Sequence, residues 1–346
     1  MNTILPIQYL RGIAALLVVW HHSREQISVF GNYFTSSFGE FGVDVFFVIS
    51  GFIMFFTTAN KPLTMSEFLV KRAERVVPLY WLATLFLVAA ALALPQIFKT
   101  TQVDVYHIVK SILFIPHESP SHPGENWPIL VPGWTLNYEM LFYFMFSLFL
   151  GFTLNMRVVG LGLLMGFMVT MGFALDIQNP WFEVYTNPLL LEFYFGVVVG
   201  WLYIAGVRPS RNIAWFVFIT GTILLFADNE LPRFIARGIP AFALVYGSLW
   251  LSENPPDSKL AHMLGDASYS IYLSHIFSLG ALRYIWKLLG FVQDNIFMAT
   301  CFMVTGLVFS AAIGVMVYNA LERPMLRYVR AAYKTMQYRL SQNKSF

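Results

Sequence analysis

Arg11 and His22 stand eleven residues apart in an otherwise apolar stretch, and their side chains are of the kinds that hold an anion and move a proton. Eleven steps of 100° make about three full turns, so on a helix the two would share one face, about 16 Å apart along the axis. His21 falls about 80° off that stripe. Asp44 and Glu139 lie near the starts of later apolar segments, at a depth comparable to His22. A neutral imidazole takes a proton from a hydroxyl, and a neighbouring carboxylate fixes its tautomer and stabilises the imidazolium that forms. His22 with Asp44 and Glu139 therefore reads either as general-base equipment or as a buried pairing that ties helices together.

A second group lies in Lys71-Arg72-Ala73-Glu74-Arg75-Val76-Val77-Pro78-Leu79-Tyr80-Trp81. This segment falls in the loop between the second and third apolar runs; Arg72 and Arg75 are i and i+3, on one face if the loop is helical, which suits phosphates through paired charge-assisted contacts, and plain topology charge gives the same composition. Ser50-Gly51-Phe52 and the pair Gly196 and Gly200 permit close helix approach. His275, in Tyr269-Ser270-Ile271-Tyr272-Leu273-Ser274-His275, reads as a cavity residue or as a hydrogen-bonded structural histidine. His107, His117 and His122 do not have zinc-ligand spacing and Cys301 stands alone, so no metal site is expected.

Composition dictates the elements that must hold these groups. Of 346 residues, 57% are hydrophobic and 12% charged, with 34 Phe, 17 Tyr and 9 Trp; mean hydropathy is +0.61. Soluble domains carry about 25% charged residues, so this chain has too little polar surface to face water all round. Its apolar content excludes disorder, its single cysteine excludes a disulfide scaffold, and its long unbroken apolar runs exclude a β-barrel. A helix of about 20 apolar residues crosses the hydrocarbon core. Ten runs qualify, near 6–23, 40–58, 77–95, 134–152, 158–175, 188–205, 213–227, 236–251, 268–287 and 296–319.

The expected fold is thus all-α, a polytopic membrane helical bundle of about ten transmembrane helices in the lipid bilayer. With the N-terminus inside, fourteen Lys and Arg fall on the cytoplasmic side and seven on the other, leaving Arg11 within the first span. Positive charge is retained in the cytoplasm, so both termini are expected there. The net charge of +3 is then explained by topology and headgroup contact, and no nucleic-acid partner is implied. Residues 1–325 read as one membrane domain and 326–346 as a basic cytoplasmic tail. The apolar run begins almost at Met1 with no basic n-region, so a cleaved leader is not expected. The longest polar connection, Gln96 to Pro132, would be an extracytoplasmic loop.

Several ordered motifs have a familiar pattern. Ile7-Gln8-Tyr9-Leu10-Arg11-Gly12-Ile13-Ala14-Ala15-Leu16 is followed by His22, and Gly42-Val43-Asp44-Val45-Phe46-Phe47-Val48-Ile49-Ser50-Gly51-Phe52 comes next. Arg72-x-x-Arg75-x-x-Pro78-x-Tyr80-Trp81, Gly133-Trp134-Thr135-Leu136-x-x-Glu139, Ser268 to His275 and Glu322-Arg323-Pro324 then follow in sequence. Together they resemble the acyltransferase 3 family of integral-membrane O-acyltransferases, and within it the bacterial exopolysaccharide-production acetyltransferases. The resemblance runs over roughly residues 5 to 325, with Thr135 where the family often has Ser.

The resemblance implies transfer of an acyl group, usually acetyl from acetyl-CoA, to a hydroxyl of a saccharide acceptor on an exported polysaccharide or its lipid-linked precursor, in the bacterial cytoplasmic (inner) membrane. It makes His22 the catalytic histidine, for which the residues themselves offer Asp44 or Glu139 as the orienting carboxylate, and makes Arg11, Arg72 and Arg75 candidates for the acyl-CoA end. Ser50, Trp134, Tyr138, Tyr272 and His275 become candidates for the substrate cavity. Some family members carry an added hydrolase-like domain, for which this chain has no room. Ten helices with interior charges also describe a saccharide transporter or flippase, although no inverted repeat of broken helices is evident. A noncatalytic partner in an export complex is a third reading, and oligomeric state is left unassigned.

Overall fold

Each of the ten apolar segments folds as helix. The computed structural model describes residues 4–27, 39–61, 63–227, 230–291 and 295–343, with the side chains of Lys334 and residues 336–343 excepted. In order the helices are α1 Leu5–Glu25, α2 Gly42–Thr58, α3 Met65–Ala93, α4 Val105–Ile112, α5 Trp134–Leu148, α6 Leu154–Ala174 and α7 Pro180–Tyr185. The second half holds α8 Leu190–Ile204, α9 Arg211–Leu225, α10 Phe234–Ser248, α11 Lys259–Asp266, α12 Ser268–Leu288, α13 Ile296–Val317 and α14 Arg323–Asn343. Among the described residues the only β pairing is an isolated bridge between Ser119 and His122.

Among the described residues, four helical runs are long and apolar enough to cross a membrane: α3, α6, Pro180–Ile204 and Ile296–Tyr333; α2, α9 and α10 are shorter apolar helices. The expected ten is therefore matched by helices but not by ten long apolar ones: α2, α5, α9 and α10 are too short, and α1 and α12 are long enough but carry polar groups. α1 carries Gln8, Arg11, His21 and His22, and α12 carries Ser270, Ser274 and His275. Both are central, with Ala14, Ala15 and Val19 of α1 and Ser270, Ile271 and His275 of α12 fully buried. A helix sheathed by other helices needs no apolar coat.

Local chemistry sets several ends. Thr64 and Glu67 form a reciprocal capping box that starts α3, while Thr153, Ser210 and Asn295 cap α6, α9 and α13 through side-chain oxygens. α3 runs through Pro78, so the arginine segment expected as a loop is the first half of a 29-residue helix. α2 and α8 cross backbone to backbone. A Cβ on Gly51 would lie 2.0 Å from the Phe193 carbonyl oxygen, and one on Gly196 would lie 1.9 Å from that of Val48. This confirms the small-residue packing read from sequence.

The last apolar run closes at 319, which predicts a helix end near Glu322-Arg323-Pro324, and none occurs there. α13 passes through a π-helical turn, Tyr318–Glu322, directly into α14, so most of the expected tail is a continuation of the helix; Lys344 lies outside the described residues. The inserted residue of the π turn carries Glu322 inward, where it is buried and meets Arg75 and Ser270.

Candidate active site

α1 carries both poles of the site. Arg11 and His22 share a face, as the spacing requires, but each opens into its own cavity. The cavity at Arg11 measures about 290 Å³ and is also lined by Lys71, Arg72, Arg75 and Arg330, with Glu139 the one carboxylate among its described lining residues. The cavity at His22 measures about 660 Å³. Its described lining residues carry Glu25, Glu40, Glu125 and Glu183 against one arginine, Arg233. Val43 of α2 and Tyr272 of α12 line both cavities and form the wall between them.

In the basic cavity, Arg11 donates to Gln8 Oε1 at 3.2 Å and to Ser268 Oγ at 3.0 Å. Arg75 pairs with Glu322 and lies over the Tyr269 ring, 5.5 Å from its centroid. Arg72 lies over Phe68 at 5.7 Å, and its Nε is buried without a hydrogen-bond partner. Burying such a donor is costly unless a ligand satisfies it, and a phosphate or carbonyl oxygen would. Because α3 is helical here, Arg72 and Arg75 do share a face.

At the other pole, His22 Nδ1 meets Glu25 Oε2 at 2.8 Å and His21 Nε2 meets Glu25 Oε1 at 3.2 Å. With Glu25 a carboxylate, Nδ1 of His22 carries the hydrogen and Nε2 keeps its lone pair. Behind His22, the ring of His275 is stacked at 4.9 Å between centroids and 21° between planes. His275 is fully buried and donates from Nδ1 to the Tyr272 carbonyl, which leaves its own Nε2 unpartnered.

The convergence of Asp44 and Glu139 on His22 does not occur. Asp44 is fully buried and takes a bidentate pair from Arg233, at 2.9 and 3.1 Å, while Arg233 also reaches Glu40 at 2.6 Å. Glu139 faces the basic cavity, where Ser50 donates to it at 3.1 Å and Tyr143 donates to the same oxygen. Each carboxylate is drawn to the donor its own helix faces, and the one beside His22 is Glu25. Its signal in the sequence was its place one helical turn beyond both histidines. Arg233 had no such signal, being 189 residues from Asp44.

The remaining candidates divide between the poles. Ser50 lines the basic cavity, Trp134 and Tyr138 line the acidic one, and Tyr272 lines both. The Tyr272 hydroxyl donates to the Pro132 carbonyl at 2.9 Å and meets Thr135 Oγ1 at 2.9 Å, which pins the dividing wall. The connection after α3 packs back onto the bundle: Tyr80 and Trp81 donate to the carbonyls of Ser111 and Ile112. It presents His122, Glu125, Asn126 and Trp127 to the acidic cavity. Under it, His107 Nδ1 lies 2.6 Å from His117 Nε2, and His117 Nδ1 donates to the Ile115 carbonyl. Burial, then the neighbouring His117, pulls His107 from its ordinary 6.5 down to about 4, and burial lowers His117 as well.

A bundle with a basic pocket, an acidic pocket and a carboxylate-held histidine lining the acidic one has the parts of an enzyme joining an anionic donor to a hydroxyl acceptor. The chain belongs to the acyltransferase 3 family, described as an acyltransferase domain, which matches residues 5–315. It is an O-acyltransferase, which displaces the transporter reading.

Two curated relatives locate it within the family. The chain is 39% identical over 308 residues to the exopolysaccharide production protein ExoZ of Rhizobium meliloti, covering 87% of this chain and 93% of the relative. It is 24% identical over 304 residues to the peptidoglycan O-acetyltransferase OatA of Listeria monocytogenes, covering 77% of this chain and 48% of that one. The chain thus spans about half the length of the second relative. No solved structure matches the chain.

Proposed function

We propose that the chain moves an acetyl group from acetyl-CoA to a hydroxyl of an exported polysaccharide or its lipid-linked precursor, in the bacterial cytoplasmic membrane. The observation that carries this is the pair of oppositely charged cavities meeting at Val43 and Tyr272, with His22 on the acidic side. About ten helices cross the membrane with both termini cytoplasmic, so the basic cavity opens to the cytoplasm, where acyl-CoA is made. At about 290 Å³ it is at the small end of ligand-sized clefts, room for the acyl end of the donor and not the whole of CoA. The phosphates stay at the mouth, where Lys71, Arg72 and Arg330 supply charge.

The acceptor enters the larger cavity. Nε2 of His22 removes the proton from a sugar hydroxyl while Glu25 holds Nδ1–H and stabilises the imidazolium. The hydroxyl oxygen bonds to the thioester carbonyl carbon, the C–S bond breaks, and the imidazolium proton passes to the leaving thiolate as the ester and free CoA form. Such acid–base assistance contributes about 10² to 10⁴-fold in rate. Arg11 steadies the donor from below, through the Gln8 and Ser268 contacts that fix it.

The test uses purified protein in lipid vesicles, acetyl-CoA labelled in the acetyl group, and saccharide. Label on sugar supports the reading. Saccharide movement across the bilayer without acetyl-CoA, and without label on sugar, overturns it.

A further inference from the structure

The acidic cavity has a charge and a hydrogen-bonding character that select among saccharides. Glu25 and Glu183 sit on its wall and Glu40 and Glu125 beside them, while its one arginine is already committed to Asp44 and Glu40. Apart from the histidines, the described lining residues leave no lysine or uncommitted arginine to meet a carboxylate or phosphate on a ligand. Its uncharged groups point the other way. Asn137 is 4% exposed, lines the cavity, and has its Oδ1 buried without a partner. A buried acceptor left unmatched costs free energy until a donor reaches it, and a sugar hydroxyl is such a donor. Glu183 accepts from Asn126 at 2.7 Å and keeps further lone pairs for hydroxyls. Trp127 and Trp134 offer flat apolar faces of the kind that cover the C–H face of a pyranose.

We infer that this cavity is an acceptor subsite for an uncharged pyranose segment and discriminates against saccharides bearing carboxylate or phosphate at the residue that is acylated. The inference rests on the acyl-transfer reading for the identity of the site. It goes further in naming the acceptor class: a neutral, hydroxyl-rich sugar held by acceptor oxygens and aromatic faces. A lipid-diphosphate-linked acceptor would then enter sugar first, with its diphosphate outside the cavity. The glutamates all keep contact with water, so the discrimination is a field effect that salt weakens.

Binding tests this separately from transfer. Neutral gluco- and galacto-oligosaccharides and their C6-oxidised uronate counterparts of equal length are titrated against the intact protein in nanodiscs, with tryptophan fluorescence as the readout. The expected result at low ionic strength is that at least one neutral series binds about tenfold or more tightly than its oxidised counterpart. The ratio falls toward one as salt is raised or in the double variant Glu125→Gln, Glu183→Gln. Asn137→Ala should weaken the neutral ligand. Equal or tighter binding of the uronates, no binding of any neutral oligosaccharide, or a ratio unmoved by the double variant would overturn the inference. A protein that discriminates by charge but transfers no acetyl sinks the transfer reading alone, and one that transfers equally to both series sinks only this inference.

Discussion

The ring of His22 lies on the ring of His275, centroids 4.9 Å apart and planes 21° from parallel. Glu25 fixes the in-plane direction of the His22 imidazole and His275 fixes the plane itself, so Nε2 has one orientation into the cavity. Precise placement of a base is worth orders of magnitude in rate. His275→Phe, which keeps a flat ring, should retain most of the turnover, while His275→Ala should lower kcat about tenfold or more with acetyl-CoA affinity unchanged. Steady-state kinetics beside a donor-binding measurement separates the two; a loss of donor affinity would instead mark His275 as structural.

The two carboxylates near this pole should fail in different ways. Glu25→Gln removes the charge that stabilises an imidazolium and should cut kcat by about 10²-fold while the protein stays folded. Asp44→Asn leaves Arg233 paired with Glu40, with the buried Glu192 as the other nearby carboxylate. Breaking a fully buried pair costs about 3–5 kcal/mol. Arg233 keeps a third of its side chain exposed, so about 1–3 kcal/mol is expected here. Thermal unfolding in detergent paired with turnover checks both, and a Glu25→Gln protein with normal kcat would remove Glu25 from the mechanism.

Arg72→Lys keeps the charge and loses the planar fork with its unpartnered buried Nε. Acetyl-CoA should bind about tenfold more weakly, measured by isothermal titration, with acceptor binding unaffected. Unchanged donor affinity would reduce Arg72 to a topology charge.

Gly196→Ala places a Cβ 1.9 Å from the Val48 carbonyl oxygen, where only backbone movement relieves the clash. Over-packing of this kind costs about 1–3 kcal/mol. A lowered unfolding temperature, with loss at the α2–α8 crossing, is expected; an unchanged one would mean that the two helices are not held at this distance.

The His107–His117 pair gives the connection over the acidic cavity a pH dependence. His107 is held below its ordinary 6.5, at about 4, so the folded loop favours the neutral ring. The stabilisation is therefore full above about pH 6.5 and is lost as pH falls toward 4. Proteolysis or hydrogen exchange of residues 105–127 should rise across that window in the wild type and flatten in His107→Phe. A loop equally protected at pH 7 and pH 4.5 would contradict this.

Much of the helical plan was legible because lipid demands long apolar runs, and the Arg11–His22 face followed from helix geometry alone. What the sequence did not reveal were contacts fixed by tertiary approach. Asp44 found Arg233, which α10 brings from far along the chain, and Glu322 was turned onto Arg75 by a π turn that periodicity does not show. Glu25 lies one turn past His22 but beyond the apolar run, where a charged residue carries no signal of burial. The apolar criterion also undercounted the central helices, since α1 and α12 are sheathed by neighbours and can afford polar faces.

The meeting of the two cavities is tested most directly by a structure of the protein with a non-hydrolysable acetyl-CoA analogue and a neutral oligosaccharide bound together. The carbonyl carbon should sit at the Val43–Tyr272 wall, about 3–3.5 Å from a sugar oxygen that in turn touches His22 Nε2. A donor seated with its acyl group away from that wall, or a sugar oxygen out of reach of His22, would contradict the account.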